Sequence, residues 1–140
     1  MHRTSVLVAV VILAMAGSSE GPSSAQPAPQ QFPHQLTATE VRSRLSDETF
    51  YLLGSYGPKT FVYYFGPNGQ IKMRSPGGSD TGTWRITDDG QWCTKYAKAR
   101  NGQEACYTTW QTGPDSFEYR SSNGQGMKPT ASVAGNPEGL

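Results

Sequence analysis

Thr60-Phe61-Val62-Tyr63-Tyr64-Phe65-Gly66-Pro67-Asn68-Gly69-Gln70-Ile71-Lys72-Met73-Arg74 decides the fold class. Two strand-like runs flank Gly-Pro-Asn-Gly, a turn signal with both proline and a glycine suited to positive φ. A type I turn closed by a glycine bulge pairs Gly66 with Gln70. That register predicts Phe65 opposite Ile71 and Tyr63 opposite Met73 on one face, with Val62 and Tyr64 opposite Arg74 and Lys72 on the other. A two-residue turn would slip the pairing by one and set Phe65 against Lys72. The bulged turn keeps apolar residues together, so the stretch reads as an antiparallel hairpin with one apolar face.

The same punctuation continues on both sides. Gly, Pro, Asn and Asp interrupt strand-like runs at intervals of roughly ten residues, the pattern of an all-β domain. Strands are predicted over 50–55, 60–65, 70–74, 82–87, 91–97, 103–111, 117–121 and 127–133. Asn-Gly-Gln recurs at 68–70, 101–103 and 123–125, each time as a turn. Ahead of the strands, Leu36-Thr37-Ala38-Thr39-Glu40-Val41 has a capping box, Thr37 with Glu40, and a hydrophobic staple, Leu36 with Val41. Val41 and Leu45 share a face, which predicts one short helix over 38–45. The fold expected is mainly β: a small antiparallel meander barrel or sandwich of about eight strands, with one N-terminal helix and one disulfide.

The N-terminus predicts export. Arg3 precedes an apolar run from Val6 to Ala16, and small residues follow to Ala25, the layout of a secretory signal peptide. Cleavage after Ala25 fits Ser23-Ser24-Ala25, and Ala14-Met15-Ala16 offers a second site. The run is shorter than the roughly 20 residues of a bilayer span, so no membrane insertion is expected after cleavage. The domains are therefore read as signal peptide 1–25, Pro/Gln-rich linker 26–35 and one β-rich domain 36–140, located in the periplasm or secreted.

In an exported chain, the only two cysteines predict a disulfide. A two-residue turn at Asn101-Gly102 would set Cys93 opposite Trp110, too far from Cys106 to bond. A four-residue loop over 98–101 instead brings Cys93 against Cys106. It also sets Lys95 against Glu104 and Trp92 against Tyr107. The disulfide and the Lys95/Glu104 pair are expected on the outer face, with Trp92, Tyr96 and Tyr107 pointing inward.

Composition then excludes several functions. The formal charge is +1, from 12 basic and 11 acidic residues, and losing Arg3 and Glu20 with the signal leaves it unchanged. No basic patch favours nucleic acid. His34, in the linker, is the one histidine outside the signal, so no rigid histidine is available to a nucleophile or to a zinc site. The cysteines lack Cys-x-x-Cys spacing. Asp88-Asp89, the one adjacent aspartate pair in the domain, precedes Gly90 and reads as a turn; a carboxylate hydrolase would need the two across a cleft. Ser79-Asp80-Thr81 lacks the charge density of a calcium loop. No enzyme activity, cofactor or metal is expected.

What remains is aromatic content. Phe, Trp and Tyr crowd the segment from Phe50 to Tyr119 and would fill a small barrel, or line a ligand cup if they leave it partly empty. Tyr63, Trp84, Trp92, Tyr96 and Tyr107 are the expected lining. The partner is then a small molecule or another envelope component. The alternative is a protein-interaction module, such as an inhibitor of an extracellular enzyme, presenting segment 75–81 or the C-terminal tail.

Gly82-Thr83-Trp84 resembles the Gly-x-Trp of lipocalins, whose barrels carry small apolar ligands. A broader pattern is similar to a family of small exported bacterial proteins of unknown function. It comprises Thr37-Ala38-Thr39-Glu40, Leu45-Ser46-Asp47-Glu48-Thr49, Phe65-Gly66-Pro67-Asn68-Gly69, Gly82 to Ile86, Asp89-Gly90-Gln91-Trp92-Cys93, Cys106-Tyr107 and Gly135-Asn136-Pro137-Glu138-Gly139-Leu140. That resemblance implies one fold unit and an envelope location, and brings no activity or site.

Overall fold

The computed structural model describes residues 21, 27–53 and 60–140. The signal peptide and the end of the first predicted strand, residues 54 and 55, lie outside the described residues, apart from Gly21. In chain order the elements are β1 (His34–Gln35), α1 (Ala38–Leu45), β2 (Glu48–Leu53), β3 (Thr60–Phe65), β4 (Gln70–Ser75), β5 (Gly78–Ile86), β6 (Trp92–Tyr96), a 3-10 turn (Ala99–Gly102), β7 (Ala105–Gly113), β8 (Ser116–Ser121), β9 (Gly126–Met127) and β10 (Ala131–Ala134).

Helix α1 begins as the capping box requires. The Thr37 N–H donates to Glu40 Oε2 at 2.8 Å, and the Thr37 hydroxyl oxygen accepts from the Glu40 N–H. The Thr37 N–H holds the Glu40 carboxyl below its ordinary range. Val41 and Leu45 are fully buried and Leu36 nearly so, which closes one end of the domain.

The strands form one antiparallel sheet in the order β10-β2-β3-β4-β5-β6-β7-β8-β9, curled into a half-barrel. A two-sheet sandwich does not form. Between β3 and β4 the pairs are Phe65 with Ile71, Tyr64 with Lys72, Tyr63 with Met73 and Val62 with Arg74, the register of the bulged turn. Cys93 lies opposite Cys106 and the two are bonded, with Trp92 opposite Tyr107.

Four expectations are corrected. The eighth strand, 127–133, splits at Lys128-Pro129. Met127 pairs with Tyr119 of β8, while Ala131 to Ala134 pair with β2 at the opposite edge of the sheet. Proline cannot donate to a ladder, so the chain leaves one edge there and joins the other. Three residues connect β9 to β10, which ties the two edges within about 14 Å. Second, the linker is not free throughout: His34 and Gln35 pair with Gln111 and Trp110 on the part of β7 beyond the reach of β6, and the Leu36 N–H continues to the Thr109 carbonyl. Third, Glu104 forms a two-pronged ion pair with Arg85, at 3.0 and 2.6 Å, rather than with Lys95. The β6–β7 ladder ends at Thr94 and Ala105, so Lys95 and Glu104 are no longer opposed. Fourth, segment 75–81 is not a presented loop: Ser75 pairs with Gly78 across Pro76-Gly77 and the rest is β5.

The tail is docked without being a strand. Tyr51 donates to the Glu138 carboxylate at 2.8 Å and Arg74 pairs with the same group. Asn136 Nδ2 donates to the Leu140 carbonyl at 2.8 Å, and the Leu140 N–H donates to Asn136 Oδ1 at 3.0 Å.

Candidate functional site

Alternation on the curled sheet sends one set of aromatic side chains inward. The deepest form a continuous edge-to-face cluster. Phe65 meets Phe50, Trp84 and Trp92 at 5.7, 5.4 and 5.4 Å between centroids, and Tyr119 meets Phe50 at 5.8 Å and Trp92 at 5.3 Å. All five rings are buried. They make the end of the barrel nearest α1 solid.

Toward the other end, the side chains stop short of filling the space. A cavity of about 270 Å³ opens there, lined by Phe61, Tyr63, Met73, Tyr96, Tyr107 and Met127 among others, above Phe50, Phe65, Trp92 and Tyr119. Tyr107 stacks on Trp92 at 4.5 Å, and Phe61 lies parallel to Tyr63 at 6.4 Å. Tyr63, Trp92, Tyr96 and Tyr107 are thus brought together as the spacing predicts. Trp84 is not: it packs on Phe65 away from the cavity and its indole N–H donates to the Gly66 carbonyl at 2.8 Å, so it secures the β3–β4 turn.

Burial raises the hydroxyl pKa values of Tyr63 and Tyr96, with Arg100 opposing the shift in both. Both therefore remain protonated donors at neutral pH. The expected lining omitted Phe61, Met73 and Met127 among the apolar walls, and Arg100, the charged lining residue, which falls within the predicted 98–101 loop. One guanidinium nitrogen donates to the Thr94 carbonyl at 3.0 Å and to Thr94 Oγ1 at 2.8 Å; the other donates to the Tyr107 hydroxyl at 3.0 Å. Its carbon stands 5.4 Å from the Tyr96 ring centroid. Arg100 and Asn101 have φ of 53° and 54°. Asparagine tolerates that region, whereas for arginine it costs about 1–2 kcal/mol. An arginine beside Asn-Gly, where positive φ recurs, is the one trace of this in the sequence.

Asp80 fixes the segment that carries Arg100. Its carboxylate accepts from the backbone N–H groups of Ala99, Lys98 and Thr81 at 2.7, 3.0 and 2.8 Å. These bonds, that of Ala99 foremost, hold its pKa below 3.8. A lowered folded-state pKa means the anchor is complete above about pH 4 and is lost as the pH falls through the lower folded value. Asp80→Ala is expected to speed hydrogen exchange at the Lys98 and Ala99 amides at least tenfold while leaving the β2–β3 amides unchanged. Unchanged protection at Lys98 and Ala99 would show that Asp80 does not anchor the segment.

The remaining polar candidates serve turns. Asp89 accepts from Thr87 and, at 2.8 Å, from Gln91, closing the β5–β6 turn. Comparison with protein families, with curated proteins and with solved structures finds no significant match to the chain.

Proposed function

We propose that the chain is an exported, non-enzymatic β-domain that binds a small molecule in the cavity between Phe61, Tyr63, Tyr96 and Tyr107. The single observation that carries this reading is the unfilled space itself. A domain this small gains stability by packing its core, yet its largest side chains leave about 270 Å³ at one end of the barrel. That is just under the roughly 300–1,000 Å³ usual for ligand sites, so the occupant is small. The lining is mostly apolar with a few hydroxyls and one guanidinium, a composition that binds rather than reacts. The disulfide suits an oxidising compartment, which supports the export reading. The interaction-module alternative has less to offer, since the tail and segment 75–81 are both tied into the sheet.

Two measurements test the proposal. Native mass spectrometry of protein recovered from an exporting host is expected to show a retained small mass together with loss of the leader. Titration with N-phenyl-1-naphthylamine, a neutral apolar fluorophore, is expected to give saturable enhancement. Ala99→Phe, which places a ring in the cavity, is expected to weaken that binding at least tenfold without changing the circular dichroism spectrum. A bare mass with no enhancement would overturn the reading.

A further inference from the structure

We propose that the ligand is a small amphipathic acid whose carboxylate pairs with the Arg100 guanidinium while its apolar body enters the aromatic cup. This rests on the binding reading above and adds its chemical class. Among the described residues, Arg100 is the arginine that lines the cavity, and like Arg42 and Arg44 it has no carboxylate partner. Arg74, Arg85 and Arg120 each pair with a glutamate, Glu138, Glu104 and Glu118 respectively. Arg100 pairs with no carboxylate among the described residues, and residues 54–59 contain no Asp or Glu. The nearby Asp80 spends its oxygens on three backbone N–H groups.

The guanidinium is nevertheless held firmly, by Thr94 and Tyr107, all neutral acceptors. They orient the positive charge without neutralising it. Of its five N–H donors, two go to Thr94, one to Tyr107 and the Nε one to the Gln103 carbonyl at 3.5 Å, which leaves one on Nη1 for a carboxylate. The hydroxyls of Tyr63 and Tyr96 have no hydrogen-bond partner among the described residues and line the same cavity. Each can donate to an acid's oxygens. Cations are repelled from such a site, and a neutral ligand leaves the charge unused. Below Arg100, Phe61, Met73, Leu52 and Met127 offer only apolar surface, which fits a hydrocarbon or aromatic body.

Calorimetric titration of the oxidised protein with 3-phenylpropanoate and with 3-phenylpropan-1-ol, at pH 7 and low salt, separates the two readings. The acid is expected to bind at least tenfold more tightly than the alcohol, with the margin shrinking as salt is added. Arg100→Gly removes the guanidinium and suits the positive φ. It is expected to abolish the preference, read as the ratio of acid to alcohol affinity within the same variant. Arg100→Lys is expected to retain part of the preference. Equal binding of acid and alcohol by the wild type, or a preference that survives in Arg100→Gly, would overturn the carboxylate anchor and leave the cavity reading standing. Failure of both compounds to bind would overturn the two together.

Discussion

Gly82→Ala is expected to cost about 3 kcal/mol or more, the largest loss from any single methyl group added to the sheet. A Cβ at Gly82 would lie 2.0 Å from the Lys95 carbonyl oxygen and 2.8 Å from both the Lys95 carbonyl carbon and the Tyr96 Cα. All three are backbone atoms of β6, so no rotamer change relieves the contact. Gly82 pairs with Ile71 on one side and Tyr96 on the other, in the interior of the sheet. Missing a side chain there lets β5 and β6 approach closely as the sheet curls. Forcing them apart would also shift Tyr96, a wall of the cavity, and weaken the Ala97 N–H bond to Thr81. Urea unfolding of Gly82→Ala beside Gly77→Ala tests this. Gly77 has only the Ser75 hydroxyl oxygen at 3.8 Å from its virtual Cβ, so that variant is expected to remain within about 0.5 kcal/mol of wild type. Equal stability of the two variants would show that the sheet spreads freely at Gly82.

The resemblance of Gly82-Thr83-Trp84 to a lipocalin motif thus meets two physical roles on this chain. Gly82 admits the neighbouring strand, and Trp84 locks the turn at Gly66. Neither role requires contact with a ligand, which is why Trp84, expected in the cup, sits elsewhere.

Much of the fold was legible because period-two alternation and turn chemistry agree. In 60–74 one register alone keeps Phe65, Ile71, Tyr63 and Met73 on a common face, and the structure adopts it. The capping box placed α1, and the cysteines fixed the β6–β7 pairing. Segments whose composition is governed by two demands were harder to read. Pro76-Gly77 needs only two residues to reverse the chain, so the Gly/Ser-rich residues after it continue as β5 although they look like loop. His34-Gln35 joins the sheet through backbone hydrogen bonds, which ask nothing of the side chains, and no pattern announces them. Glu104 selected Arg85 because Arg85 stands opposite Cys93, across β6 from β7, and its fork accommodates both carboxylate oxygens.

The cavity was legible in its walls and not in its rim. Tyr63, Tyr96 and Tyr107 follow from alternation. Arg100 does not, since it reaches the cavity through a left-handed backbone that sequence preference assigns to glycine or asparagine. Strain of that kind is maintained where the surrounding structure enforces it, here Asp80 on one side and Thr94 on the other.

Removing the disulfide is the second large effect expected. Cys93→Ser with Cys106→Ser should cost about 3 kcal/mol on chain-entropy grounds for a loop of this size, and lower the midpoint of thermal unfolding by roughly 12 °C or more. The cysteines are 13 residues apart in sequence, and the enclosed segment carries Thr94, Tyr96, Arg100 and two of Asp80's backbone partners, Lys98 and Ala99. The β6–β7 ladder beside them has three residue pairs against six between β2 and β3, so the hairpin that bears the mouth of the cavity is the more dependent on its covalent link. Loss of the bond should therefore be felt first in binding. Below the unfolding transition, the double variant is expected to bind N-phenyl-1-naphthylamine at least tenfold more weakly, with hydrogen exchange rising between residues 94 and 105 while β2 and β3 keep their protection. Uniform exchange throughout the sheet would mean that the link stabilises the domain as a whole, and undiminished binding would mean that the short ladder and the Asp80 anchor hold the mouth without it.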